Sequence, residues 1–224
     1  MMNVEDLERN LLTVRERIAR AADRSRRDPA GILLLAVTKV FPAEIIRAAH
    51  ALGLREFGEN YVQEFEGKAS AVRGLEGARF HLIGHLQSNK SGRATELFDV
   101  VQTVDSPKLA RRLDAAGRNL EVMIEVKLSD EEAKSGVEPE GVPALIQAIR
   151  GCPNLRLRGL MTMPPWSDDP EAPRPIFRRL RELAVQQGLR ELSMGMSHDL
   201  ETAIEEGSTC VRVGTALFGK RRKA

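Results

Sequence analysis

The sequence predicts an α/β protein, a single (β/α)8 barrel of the TIM type with one extra helix at its N-terminus. Three observations carry this. Eight short apolar runs of strand length recur along the 224 residues. The segments between them carry plausible helices, several of which stop at glycine. No Gly-x-Gly-x-x-Gly follows any strand, which weighs against an open Rossmann sheet, the structural runner-up. Repeated strand-helix alternation demands parallel strands with helical crossovers, and eight such units suit a closed barrel.

The first segment places Val4, Leu7, Leu11, Val14, Ile18 and Ala21 at spacings of three and four, the stripe of an amphipathic helix, and Asp28-Pro29 should end it. Such a helix, left over from the repeat, is expected outside the barrel or across its bottom. Ile32 to Val37 is a continuous apolar strand. Pro42 then opens a helix with Ile45, Ile46, Ala49 and Leu52 that closes at Gly53. Further strands are predicted at Arg55 to Phe57, Phe80 to Ile83, Asp99 to Thr103, Val122 to Val126, Leu155 to Met161, Glu191 to Met194 and Cys210 to Val213. Helices are predicted at Pro107 to Ala116, Val142 to Ile149 and Ile176 to Val185, each followed by glycine within a few residues. Gly84 to Leu97 is poorly patterned, and Pro164 to Pro175 reads as a long loop after the sixth strand. The expected organisation is one domain over 1–224, with the extra helix in 1–29, the barrel in 31–219 and a basic tail at 220–224.

Composition narrows the function classes. The 34 Lys plus Arg nearly balance 32 Asp plus Glu, a net charge of +2, so a dedicated nucleic-acid binder is disfavoured. Cys152 and Cys210 lack metal-ligand spacing and are too few for a disulfide framework; they read as ordinary buried thiols in a reducing compartment. No metal site is expected. No apolar run approaches the roughly 20 residues that span a bilayer. Met1 to Arg20 alternates charged and apolar residues instead of forming a signal-peptide core. A cytoplasmic protein with no membrane partner is the expectation.

Two constellations could carry chemistry. Lys39 follows Ile32-Leu-Leu-Leu-Ala-Val-Thr38, where a barrel strand delivers its C-terminal end to the active face. A desolvated lysine there becomes a nucleophile able to form a Schiff base, and it reads equally well as a lysine reaching from the rim to water. The second constellation joins Ser193-Met-Gly-Met-Ser197, after the seventh strand, to Arg212-Val-Gly-Thr215, which closes the eighth. Barrels often bind phosphate at these two loops. Ser197 is placed to N-cap the turn that follows it, Gly214 to admit close backbone approach, and Thr215 to add a hydroxyl. A plain cap and a turn glycine explain either loop taken alone. Arg212 points opposite to Val211 and Val213 by strand alternation, and its guanidinium can only donate. It reads either as the partner of a neutral ring nitrogen or as half of a rim ion pair. A reactive lysine and a phosphate cradle on one face point to a phosphorylated carbonyl ligand.

Several segments together resemble the pyridoxal phosphate homeostasis proteins, barrel relatives of the N-terminal domain of alanine racemase. They are Leu35-Ala-Val-Thr-Lys39, Phe57-Gly-Glu-Asn-Tyr-Val-Gln-Glu64, His81-Leu-Ile-Gly-His-Leu-Gln-Ser-Asn-Lys90, Ala133-Lys-Ser-Gly136, Gly159-Leu-Met-Thr-Met163, Ser193 to Ser197 and Val211 to Thr215. The resemblance implies that Lys39 carries pyridoxal 5′-phosphate as an internal aldimine. It also implies that Ser197, Gly214 and Thr215 hold the phosphate and that Arg212 faces the pyridine nitrogen. Asn60 would lie near the ring, with Met161 on a strand end beside it; as bland readings, Asn60 starts a helix and Met161 is core. His81 reads as a satisfied histidine more than a ligand contact, and His85 less as a contact still. Lys90, Lys134 and Lys220 to Lys223 read as solvated charge.

The implied function is a carrier that buffers the cofactor inside the cell and passes it to dependent apoenzymes, with no catalytic residues and a monomeric state. One alternative is an amino-acid racemase. In alanine racemase the second base is expected to be a tyrosine from an additional C-terminal domain. No such domain is expected here, and Tyr61, the one tyrosine, is not marked as that base. The other alternative is a cofactor-free Schiff-base aldolase, which would be colourless at rest.

Overall fold

The computed structural model describes residues 3–129 and 135–219. Lys134 and the tail at 220–224, both singled out above, lie outside the described residues. Helix α1 (Val4–Arg24) starts where the Asn3 side chain accepts the Asp6 N–H at 2.7 Å, and it buries Leu7, Leu11, Val14, Ile18, Ala21 and Ala22. The repeat then runs β1 (Leu33–Val37), α2 (Ala43–Ala51), β2 (Glu56–Glu59), α3 (Val62–Val72), β3 (Arg79–Leu82), α4 (Ser91–Leu97), β4 (Val100–Val104) and α5 (Pro107–Asp114). It continues through β5 (Leu120–Glu125), α6 (Val142–Arg150), β6 (Leu155–Met161), α7 (Arg174–Gln186), β7 (Glu191–Met196), α8 (Leu200–Glu205), β8 (Cys210–Val213) and α9 (Thr215–Phe218).

All eight strands are parallel and pair in sequence order, and β8 closes on β1 with Leu35 opposite Arg212 and Ala36 opposite Val213. The predicted barrel is the observed one. Alternation along each strand divides the core. Ala36, Val211 and Val213 pack outward under the helices, while Leu35, Val37, Ile83 and Cys210 form a small inner cluster. His81, Gln102, Ser193 and Arg212 are also buried, and they bond to one another between the strands.

One open alternative is settled and two expectations need adjusting. Helix α1 lies outside the barrel against α8 and α9, not across the bottom, and Asn10 Nδ2 donates to the Leu217 carbonyl at 2.9 Å. The unpatterned Gly84 to Leu97 holds a 3-10 turn at Ser88–Lys90 and then α4, a helix too short to build a periodic stripe. Pro175 belongs to α7, where its missing N–H removes no intrahelical bond. Strands β6 and β8 have their predicted bounds, and the bounds of the others differ by at most two residues.

Candidate functional site

Lys39 sits just past β1, half-buried, in a four-residue turn closed by the Phe41 N–H on the Thr38 carbonyl at 3.1 Å. Val40 takes the left-handed position of that turn, with φ +64°, where glycine or asparagine is usual and a β-branched residue is strained. A buried ion cluster holds it there. Val40 N–H donates to Glu64 Oε1 at 2.6 Å. Lys68 Nζ donates to Glu64 Oε1 at 2.7 Å, to Glu59 Oε1 and Oε2 at 2.9 and 3.0 Å, and to the carbonyls of Thr38 and Phe41. Thr38 Oγ1 donates to Glu59 Oε1 at 2.7 Å. Burial pushes the Glu59 carboxyl above the usual carboxylate range, against the pull of Lys68 and Thr38. The Glu64/Lys68 spacing of four on a helix is the sequence signal for this cluster.

Asn60 follows β2, whose pairing to β1 sets Val37 opposite Gly58 and so puts Asn60 on the same rim as Lys39. It lies just past the end of β2 and does not start a helix; α3 begins only at Val62. Its Oδ1 is buried and has no hydrogen-bond partner. Gly84 presses against it from just past β3, since a Cβ there would stand 2.2 Å from the Asn60 carbonyl oxygen. Only glycine admits that approach.

Ser197 and Gly214, expected to share a phosphate cradle, converge in a different way from the expected one. Ser197 does not cap its own helix. Asp199 occupies the N-cap position of α8 and its carboxylate accepts the Met196 N–H at 2.6 Å. The Ser197 hydroxyl instead accepts the N–H groups of Gly214 and Ala216, both at 3.2 Å. The bulge that delivers it lies in β7, where the four residues from Ser193 to Met196 oppose the three from Cys210 to Arg212, with Gly195 at φ +91°. From α1, Arg17 donates to the Ser197 carbonyl at 3.0 Å and pairs with Glu201 at 2.6 Å. Gly214 abuts Val37, though a Cβ there would meet it only at an ordinary 3.5 Å, so no protein neighbour demands glycine. Thr215 is exposed. Ala216 acts through its backbone alone, which no side-chain motif reveals.

Arg212 is buried, donating Nη1 to Ser193 Oγ at 2.8 Å and Nη2 to the Thr162 carbonyl at 2.9 Å. It forms no ion pair among the described residues, which removes the rim-ion-pair reading. Burial lowers its pKa, opposed chiefly by Cys210, Asp199 and Glu125, and it remains a cation and a donor. Met161 is a buried residue of β6, in register with Glu125 and Ser193. His81 is satisfied inside the barrel, with Nε2 at 2.5 Å from Glu56 Oε2 and Nδ1 at 2.9 Å from Gln102 Nε2. His85 is exposed with Nδ1 at 3.8 Å from Asp105 Oδ2, and Lys90 ends the 3-10 turn half-buried. Both thiols are buried and free, and burial pushes Cys210 up to about 11.

Sequence reading missed Glu125, at the end of β5. Its Oε2 is buried without a partner, and it lines a cavity of about 210 Å³ with His85, Lys127 and Met163. Burial, then the Asp105 carboxylate, pushes it up to about 7 against the pull of Arg212. No helix among the described residues is long and apolar enough to cross a membrane.

A profile of the family described as alanine racemase, N-terminal domain, matches residues 3–222. The chain is 49% identical over 218 residues to the pyridoxal phosphate homeostasis protein of Pseudomonas aeruginosa, covering 95% of this chain and 94% of that one. It is 42% identical to the Aquifex aeolicus protein of the same name, covering 95% and 97%. Among solved structures, PipY of Synechococcus elongatus with PLP bound superposes with a TM-score of 0.79 at 39% identity, covering 92% of this chain and all (100%) of PipY. Alanine racemase of Corynebacterium glutamicum shares the fold, with a TM-score of 0.70 at 19% identity over 97% of this chain and 61% of the racemase. With the closed barrel and its rim residues in place, these matches make the chain a member of the alanine racemase N-terminal domain family, among its pyridoxal phosphate homeostasis proteins.

Proposed function

We propose that this chain binds pyridoxal 5′-phosphate (PLP) covalently through Lys39 and serves in homeostasis of that cofactor. It buffers a reactive aldehyde and delivers it to PLP-dependent apoenzymes, without robust catalysis of its own. The observation that carries the reading is the buried, unpartnered Oδ1 of Asn60 on the rim that Lys39 shares. A buried polar atom without a partner is rare in a folded protein and marks a place where a ligand completes the bonding. The other residues fit the same group. Ser197 Oγ meets the Gly214 and Ala216 N–H groups beside the end of β1, a donor set suited to a phosphate, with Thr215 adjacent. The relatives named for PLP homeostasis, and the PLP bound to PipY, support the reading.

When bound, the cofactor would supply an aldehyde carbon to which a primary amine can attach reversibly. Lys39 is the amine. Arg212 can only donate, so it would suit an unprotonated ring nitrogen and would leave the ring a weaker electron sink. Racemisation needs a proton-transfer group on each face of a substrate. Tyr61 is 59% exposed at the start of α3, a poor position for the second group.

The test is a visible spectrum of the protein with added PLP, followed by borohydride reduction and peptide mass mapping. The expected label is on Lys39, with Lys39→Ala losing the main adduct. A label found only on Lys90 or Lys134 would overturn the attachment site. Chiral chromatography after incubation with L-alanine is expected to show no Lys39-dependent D-alanine at an enzyme-like rate; robust formation of it favours the racemase.

A further inference from the structure

A line of hydrogen bonds runs through the barrel from Arg212 to the opposite end. Arg212 Nη1 lies 2.8 Å from Ser193 Oγ, Ser193 Oγ 2.7 Å from Gln102 Oε1, Gln102 Nε2 2.9 Å from His81 Nδ1, and His81 Nε2 2.5 Å from Glu56 Oε2. The four interior residues are between 0% and 4% exposed. Glu56, His81 and Gln102 also line a cavity of about 570 Å³ at the N-terminal ends of the strands, away from Lys39.

The direction of every link follows from the first. A guanidinium only donates, so Ser193 Oγ accepts from Arg212 and its single proton goes to Gln102 Oε1. The Gln102 amide is thereby oriented with its NH2 toward His81, whose Nδ1 must accept. The imidazole proton then sits on Nε2 and is donated to the Glu56 carboxylate. A cation at one end and an anion at the other polarise the three neutral links in the same sense, the arrangement in which hydrogen bonds strengthen one another.

We propose that Ser193, Gln102 and His81 are positioning residues that set the orientation of the Arg212 guanidinium toward the cofactor ring, with Glu56 at the floor of the barrel as the remote counter-charge. This rests on the reading of Arg212 as the partner of the ring nitrogen. Arg212 lies in no ion pair among the described residues, so the relay is its bonded route to a carboxylate. Breaking the relay at Gln102 leaves Ser193 free to turn its hydroxyl, and the guanidinium loses its fixed acceptor although nothing adjacent to the cofactor has changed.

The experiment compares PLP-loaded wild type with Gln102→Leu and Ser193→Ala, each alone and in the Arg212→Gln background. The readouts are the visible absorption maximum of the bound cofactor, which responds to hydrogen bonding at the ring nitrogen, and the dissociation constant of PLP. Gln102→Leu is expected to shift the maximum and to weaken binding about tenfold, or about 1.4 kcal/mol. In the Arg212→Gln background the same change is expected to leave the maximum in place and alter affinity less than about twofold, because effects that act through one residue are not additive. Should Gln102→Leu fail to fold, Ser193→Ala in the two backgrounds is read the same way. A wild-type maximum in the single variants, or equal shifts in both backgrounds, overturns the relay. A wild type that gives no visible band with PLP overturns the binding reading itself.

Discussion

The Val40 N–H donates to Glu64 Oε1 at 2.6 Å, and this bond fastens the residue after Lys39 to a buried ion cluster in α3. The turn that presents Lys39 is strained at Val40, and the strain is held by Lys68 gathering Glu59, Glu64 and two backbone carbonyls. Removing Lys68 leaves the Glu59 carboxylate buried with only Thr38 beside it. Lys68→Met is expected to cost about 3 to 5 kcal/mol at pH 8, the usual loss on breaking a buried pair. The loss shrinks at pH 5, because Glu59, already raised by burial, then folds protonated at little cost; the variant's stability falls as pH rises. Urea unfolding at the two pH values checks this, and an equal loss at both contradicts the cluster's role.

Gly84→Ala tests the close approach at Asn60. The clashing atom is backbone, so the ends of β2 and β3 must separate. The expected cost is about 1 to 3 kcal/mol, together with weaker PLP binding as Asn60 moves. Gly92→Ala, in α4 with open space around it, is the control and should stabilise by about 0.5 kcal/mol. Similar melting temperatures for the two variants would sink the argument.

Glu125, pushed up to about 7, makes the cofactor-free protein lose stability as pH rises. An unfolded glutamate titrates near 4.3, so between the two values the folded chain keeps a proton that the unfolded chain has released. The stability linked to that proton is fully present below about 4.3 and is lost as pH rises through about 7. Glu125→Gln has no such proton to lose. Relative to wild type it should gain roughly 1 to 3 kcal/mol between pH 5 and pH 8.5. Parallel denaturation curves of the two proteins across that range would contradict it.

Ser197→Ala separates the phosphate from the rest of the ligand. The Gly214 and Ala216 N–H groups lose their acceptor, and a phosphate loses a hydroxyl partner. PLP affinity is expected to fall about fivefold to tenfold, or about 1 kcal/mol, while the much weaker binding of unphosphorylated pyridoxal changes little. Matched titrations that show equal losses for both ligands would remove Ser197 from the cradle.

Much of the architecture was legible in local pattern. Eight strand-length runs, helix stripes such as Leu7 to Ala21, and stops such as Gly53 are consequences of backbone sterics and of which residues avoid water, and both act within a few residues. The same local logic put Lys39 at the end of β1 and turned Arg212 opposite to Val211 and Val213. It failed at Gly84 to Leu97, where α4 is held by packing against α3 and α5 more than by a periodic face of its own.

The sequence alone therefore determined the strand and helix repeat, the alternation that sets Arg212 opposite to Val211 and Val213, and the motifs that pointed to Lys39, Asn60, Ser197 and Thr215. Only the tertiary structure decided the partners. Ser197 bonds to residues 17 and 19 positions away, Gln102 joins Ser193 across 91 positions, and the need for glycine at 84 arises from the Asn60 carbonyl just past β2. Closing the barrel brings these groups within bonding distance, and hydrogen-bond energy depends on distance and direction in space, which the order of residues along a chain does not encode locally.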